Sequence, residues 1–168
     1  MQKPKMIVVD AGIMLGINNG GGDITAKEHS LRLVEICFDA EIPVYITGAG
    51  LEIVCLEKSI VERVKGVYLE THRTRKLWYD ACMLSRVAPC DALYVSARKN
   101  ERAAASAMFM VPVAVADPIV NRLGYCFDTA LHTRPGYIFT NLKLFVEGLE
   151  EVVTASNRRV HTRYPALA

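Results

Sequence analysis

Short apolar runs alternate with amphipathic stretches along the chain, and this alternation predicts strands and helices in turn. Continuous apolar runs are typical of strands covered on both faces, and they occupy residues 6–10, 43–47, 66–69, 92–96, 112–116 and 136–139. Apolar residues at helical spacing predict helices over residues 26–40, 51–64, 74–87, 100–108 and 142–154. Such alternation favours right-handed crossovers. We therefore expect an α/β fold, a three-layer doubly wound sandwich with a mostly parallel sheet.

Composition narrows the class of protein without naming a function. The chain has 168 residues and a net charge of +2, which favours one domain with a sizeable core and gives little reason to expect nucleic acid as a partner. No apolar run has the length of a membrane span and no signal-peptide core follows the first residues, so we expect neither membrane nor secretion. Five cysteines stand singly, which argues against a zinc site and favours a reducing compartment such as the cytoplasm.

The last residues differ in charge from the rest. We expect one domain over residues 1–154 and a basic tail over 155–168, which carries three arginines and no acid. Such a tail is either a frayed, solvated terminus or an arm that touches a partner or polyanion. It is the only hint of nucleic-acid binding, and the oligomeric state stays open.

Polar side chains follow two of the predicted strands. Asp10 ends the first strand and Thr47 the second, and the strand at 92–96 runs into the polar residues 98–101. Ligands of open α/β sheets bind at the carboxyl ends of the strands. These segments are therefore expected to share one site.

The order and spacing of these segments resemble the haloacid dehalogenase (HAD) superfamily of phosphatases and phosphotransferases. Its members begin with a strand ending in D-x-D-G-T, where this chain reads DAGIM at 10–14. A strand ending in Thr or Ser follows, and then a strand reading roughly L-Y-V-G-D-S-x-N-D, where residues 93–101 read LYVSARKNE. The resemblance covers about residues 5–154 and implies a Rossmann-like fold.

The resemblance implies roles for individual residues. Asp10 corresponds to the nucleophile that forms an aspartyl-phosphate. Thr47, with Gly48 and Asn100, would bind the phosphoryl group. Asp10, the backbone carbonyl of Gly12 and Glu101 would hold Mg²⁺. The catalytic cation of the family would come from Arg73 or Lys76, with Arg75 also open.

Two departures from the family pattern weaken the expected chemistry. Gly12 stands where the family has its proton-transferring Asp, and Ala97 stands where the family has its main metal-binding acid. General acid–base help is worth ~10²–10⁴ in rate, so we expect weak or absent Mg²⁺ binding and feeble turnover. The leading hypothesis is a binding or assembly module for a phosphorylated ligand or a protein. An active magnesium-dependent phosphatase is the alternative.

Two further hypotheses concern an alternative family and the segment after the first strand. The opening strand also resembles that of PIN-domain nucleases, whose metal would need converging acids such as Asp10, Glu41, Asp91 and Asp117. The Gly-rich residues 16–24 predict a short hairpin flap, and the spacing leaves no room for a large cap domain between Asp10 and Thr47.

Overall fold

Strands and helices alternate as the hydrophobic pattern predicts. The computed structural model describes residues 1–16, 24–69, 74–115 and 136–163. Its strands are β1 (Met6–Asp10), β2 (Val44–Gly48), β3 (Gly66–Leu69), β4 (Ala92–Ser96), β5 (Val111–Val115) and β6 (Tyr137–Phe139). Its helices are α1 (Ala11–Met14), α2 (Ile24–Asp39), α3 (Gly50–Val54), α4 (Lys58–Val61), α5 (Thr74–Ser85), α6 (Lys99–Ala107) and α7 (Leu142–Arg163), with a 3₁₀ turn at Pro89–Asp91.

The six strands form one sheet in the order β3-β2-β1-β4-β5-β6, and all neighbouring pairs are parallel. The strand order reverses between β1 and β4, since β1 has β2 on one side and β4 on the other. In this class of fold the cleft outside such a switch point is where ligands bind. Asp10 and Ser96 end the two strands that define it.

Each face of the sheet is covered by helices, which gives three layers. Alternate strand residues point to opposite faces. On one face Ile7 and Val9 pack in a cluster with α2 and α7. On the other face Met6 and Val8 pack with α5 and α6, around the fully buried Trp78. The expected three-layer sandwich is confirmed.

Several element bounds differ from the sequence prediction. The helix predicted over 51–64 is two short helices, α3 and α4. The first ends at Val54 and the second begins at Lys58, so the helix is interrupted over residues 55–57. The last helix continues to Arg163, past the predicted end at residue 154, so a regular helix enters the proposed tail.

Two further expectations from the sequence concern the flap and membrane-spanning helices. The predicted flap at 16–24 falls almost entirely outside the described residues. No helix within the described ranges is both long and apolar enough to cross a bilayer.

Candidate functional site at the switch point

Asp10 is held as the N-cap of the short helix that follows its strand. Its Oδ1 accepts a hydrogen bond of 2.9 Å from the Gly12 N–H, and its side chain is completely buried. An aspartate at this position satisfies a backbone donor at the start of a helix. The sequence therefore fixes the direction of the Asp10 carboxylate locally, because the strand turns directly into α1.

Ser96 connects Asp10 with Glu101. Its hydroxyl lies 3.1 Å from Asp10 Oδ2 and 2.9 Å from Glu101 Oε2, and it accepts a bond of 3.0 Å from the Arg98 N–H. A hydroxyl carries one proton and can donate to only one of two carboxylates at a time. A proton on Asp10 would let Ser96 accept from Asp10 while donating to Glu101.

The Asp10 carboxyl group is electrostatically strained. Its pKa is raised from 3.8 to about 6, first by burial and then by the nearby negative charge of Glu101. The positive charge of Arg98 and the Gly12 N–H act in the opposite direction without cancelling these effects. Burial away from water disfavours the charged form of any carboxyl group.

The Arg98 guanidinium addresses three carboxylates, one with each nitrogen. Its NH1 donates to Glu101 Oε1 at 2.8 Å, its NH2 to Glu52 Oε1 at 3.0 Å, and its Nε lies 3.6 Å from Asp10 Oδ2. Burial alone would lower the pKa of Arg98. The three carboxylates raise this pKa by more than burial lowers it, so the pKa lies above that of a free arginine. The side chain stays charged and joins β1, α3 and α6.

Further polar side chains fix the two outer carboxylates and the end of β4. Glu52 lies in the first turn of α3, and its other oxygen accepts from the Ala49 N–H at 2.8 Å. Glu101 accepts a bond of 2.8 Å from the Tyr94 hydroxyl. The fully buried Arg102 donates to the Ser96 carbonyl at 2.9 Å. These bonds fix the orientation of Glu52, Glu101 and the end of β4.

Thr47 stands beside Asp10 in the sheet, since the two are register partners in β2 and β1. Its side chain is fully buried, and its Oγ1 has no hydrogen-bond partner among the described residues. The following residue, Gly48, has no room for a side chain, because a Cβ there would lie 2.6 Å from Ala11 Cβ. This glycine lets the end of β2 approach α1 closely.

The predicted site residues are only partly brought together. Asp10, Thr47 and Glu101 gather at the carboxyl end of the sheet, with Gly12 and Gly48 beside them. The side chains of Lys76 and Asn100 are exposed on α5 and α6. Arg73 lies outside the described residues. The basic side chain that contacts Asp10 in the described part is Arg98.

Sequence reasoning gave no site role to several members of the network, among them the ion pair of Glu52 and Arg98. Arg98 is visible in the sequence as a cation placed directly after the missing acid at Ala97. The signal for Glu52 is weaker: it is an acid in the first turn of α3, the helix that follows β2. Neither residue has a counterpart among the acids of the family motifs, so the resemblance gave no signal for them.

The carboxylates do not form a magnesium site in this arrangement. Among the described residues, no three His, Cys, Asp or Glu side chains are grouped to hold a metal ion. Both oxygens of Asp10 and of Glu101 are already in contact with Gly12, Ser96, Tyr94 or Arg98. Mg²⁺ demands near-octahedral oxygen coordination at ~2.0–2.1 Å, which this donor set does not fit.

Of the acids nominated for a nuclease centre, the three in the described ranges do not converge. Asp10 ends β1, whereas Asp91 precedes β4 and binds Lys5, which precedes β1. Glu41 likewise precedes β2. These two acids therefore lie near the amino ends of the strands, roughly 13 Å or more from Asp10 at 3.3 Å per strand residue. Asp117 lies outside the described residues.

Comparison with known proteins gives a fold. No protein-family model and no curated protein matches the sequence. Among solved structures, the cobalt-bound deoxy-D-mannose-octulosonate 8-phosphate phosphatase of Haemophilus influenzae is similar, with a TM-score of 0.61 and 14% identity over 92% of this chain and 91% of that one.

Two other structures show how widely the fold is used. A HAD-family hydrolase of Streptomyces avermitilis, described as putative, has a TM-score of 0.59 and 15% identity over 84% of this chain and 82% of its own. A ribonuclease of Caenorhabditis elegans has a TM-score of 0.55 and 11% identity over 92% and 90% of the two chains. Together with the parallel six-stranded sheet, these similarities show that the chain has the HAD-like fold.

Proposed function

We propose that this chain is a HAD-like domain that acts as a binding or assembly module and has lost efficient phosphoryl transfer. The observation that carries the proposal is the Arg98 guanidinium, which lies among Asp10, Glu52 and Glu101 at the end of the sheet. The fold alone does not choose the chemistry, since phosphatases and a ribonuclease have similar folds. The proposal therefore depends on the side chains of the site.

The first argument is the missing acid. Proton transfer to the leaving group needs a carboxyl group within hydrogen-bond reach of the reacting oxygen. Gly12 has no side chain to supply it, and its N–H is occupied in holding Asp10. Asp10 alone could attack a phosphoryl group, but nothing at position 12 would protonate the departing oxygen.

The second argument is charge. Phosphoryl transfer requires positive charge where the transferring oxygens gather negative charge. Here one guanidinium faces three carboxylates, so these four side chains together are negative and disfavour a phosphate dianion beside them. We propose that Mg²⁺ binds weakly or not at all, and that the ligand is a protein or a phosphorylated molecule held without turnover.

One observation favours the alternative of an active magnesium-dependent phosphatase with Asp10 as nucleophile. The buried Thr47 hydroxyl has no partner among the described residues and lies on the strand next to Asp10. Leaving a buried hydroxyl unpaired costs ~1–3 kcal/mol. A bound oxyanion would satisfy it.

Hydrolysis of p-nitrophenyl phosphate with and without Mg²⁺ separates these functions. We expect the natural chain to match the background rate and D10N to match the natural chain. The double variant Gly12→Asp with Ala97→Asp restores the missing acids and is expected to exceed both. Brisk magnesium-dependent turnover of the natural chain that disappears in D10N would establish the phosphatase instead.

We also propose a reducing compartment such as the cytoplasm for the protein. The four cysteines in the described ranges, Cys37, Cys55, Cys82 and Cys90, are free thiols. Two of them are buried, as is usual for cysteines that serve as small apolar residues.

A further inference from the structure

We propose that Arg98 is a built-in cation that performs the structural work of a metal ion, so that the folded chain is independent of divalent cations. The inference deepens the proposed function by naming what holds its site together. It concerns stability and metal binding rather than turnover, so each idea can fail without the other.

The first step is the geometry of the contacts. The guanidinium is planar, carries five N–H donors and stays protonated in proteins. In this chain each of its three nitrogens meets a different carboxylate, at 2.8 Å for Glu101, 3.0 Å for Glu52 and 3.6 Å for Asp10. Those carboxylates come from α6, α3 and β1. A single side chain therefore ties three elements together, as a coordinated ion would.

The second step is that Arg98 is anchored from its own backbone. It is the N-cap residue of α6, and its N–H donates to Ser96 Oγ at 3.0 Å. Glu101 follows three residues later on the first turn of the same helix. Local chain geometry therefore fixes the Arg98 backbone beside Glu101, while the contact with Glu52 comes from the packing of α3 against this turn.

The third step is what remains without the guanidinium. The side chains of Asp10, Glu52 and Glu101 are 0%, 15% and 16% exposed. Like charges held close together away from water repel strongly. Replacing Arg98 with methionine keeps an unbranched apolar stem but removes the guanidinium and its charge. With Arg98 in place the described acids form no group that could hold a metal ion. Without the guanidinium the three carboxylates need another cation, and we expect a divalent ion to draw their oxygens together.

The experiment measures melting temperature and metal binding for the natural chain and for R98M, with EDTA, MgCl₂ or MnCl₂ as the only variable. We expect the melting temperature of the natural chain to be the same in EDTA and in either metal. R98M should melt lower in EDTA and recover by roughly 5 °C or more when the metal exceeds its dissociation constant a hundredfold. Calorimetric titration with Mn²⁺ should show one site in R98M and none in the natural chain.

Two controls make the result specific. R63M removes an exposed arginine whose Nη1 donates to the Ser59 carbonyl at 2.7 Å, and it should leave the melting temperature independent of metal. R98K keeps a positive charge without the three-way fork and should lose stability without gaining a metal site. If R98M does not fold even with metal, R98M combined with E52Q removes one negative charge, and the same titration is made on that variant.

Two outcomes would overturn the inference. One is a natural chain that binds Mn²⁺ as tightly as R98M, because Arg98 would then not replace a metal. The other is that neither R98M nor R98M with E52Q responds to metal. Phosphatase activity of the natural chain in EDTA would overturn the proposed function and leave the inference standing.

Discussion

Asp10→Asn should make the protein more stable at neutral and alkaline pH. The Asp10 pKa is raised from 3.8 to about 6 in the folded chain, so the folded state binds this proton more tightly than the unfolded state does. Binding of this proton therefore adds to the free energy of unfolding. The whole contribution is present below about pH 4, and it is lost as the pH rises through about 6. Asparagine is uncharged at every pH and does not suffer this loss.

The size of the effect follows from the shift. A change from 3.8 to about 6 corresponds to roughly 3 kcal/mol at 1.36 kcal/mol per pKa unit. Asparagine is as good an N-cap as aspartate, and its Oδ1 can still accept from the Gly12 N–H. Its amide can donate to Ser96 Oγ, which then donates to Glu101. The substitution therefore keeps the local hydrogen bonds while removing the buried charge.

Urea unfolding of both proteins at intervals between pH 4 and pH 8 measures the difference directly. We expect D10N and the natural chain to agree near pH 4, and D10N to lead by ~2–3 kcal/mol at pH 8. The exposed Asp39→Asn is the matched control and should stay within ~0.5 kcal/mol of the natural chain. A D10N protein that is less stable at pH 8, or a difference that does not change with pH, would refute the reasoning.

Three other substitutions test the packing and the hydrogen bonds around the site. Gly48→Ala should cost ~1–3 kcal/mol in urea unfolding, because its Cβ would stand 2.6 Å from that of Ala11; a neutral effect would contradict the close approach of β2 and α1. Trp78→Ala should cost ~3–5 kcal/mol, since the side chain is fully buried and its ring lies 4.4 Å from that of Tyr94. Tyr94→Phe removes the 2.8 Å bond to Glu101 and should cost ~1–3 kcal/mol by thermal or urea unfolding, whereas no loss would mean that Glu101 is held by its other partners alone.

Much of the fold follows from local pattern. The observed strands β1, β3 and β4 have the predicted bounds, because each is a short apolar run between turn residues. The prediction of one helix over 51–64 was wrong, because Ile53, Leu56 and Ile60 recur at helical spacing across the break at residues 55–57 and periodicity alone does not reveal it. What decides that region is which residues the neighbouring elements bury, and this is tertiary information.

The sequence predicts where in the sheet the site lies, but it does not predict which side chains contact one another there. Placing Asp10 and Thr47 at one edge needs only the rule that parallel strands end together, and the register confirms that they are neighbours. The direction of the Arg98 side chain depends on Glu52, which is 46 residues earlier. No spacing along the chain links these two residues, and only the folded arrangement reveals the pair.

The raised pKa of Asp10 and the position of Arg98 have a common electrostatic origin. Burial is the largest cause of the raised Asp10 pKa. The Arg98 guanidinium offsets it only in part, because it carries one positive charge where a magnesium ion carries two. It also pairs with Glu52 and Glu101. Asp10 also has the longest of the three contacts, 3.6 Å, and so receives the least compensation. A cation of this kind can hold the three elements together, yet it has no charge left over for an incoming phosphoryl group. We therefore expect the Arg98 guanidinium both to hold the site together and to oppose phosphoryl transfer there.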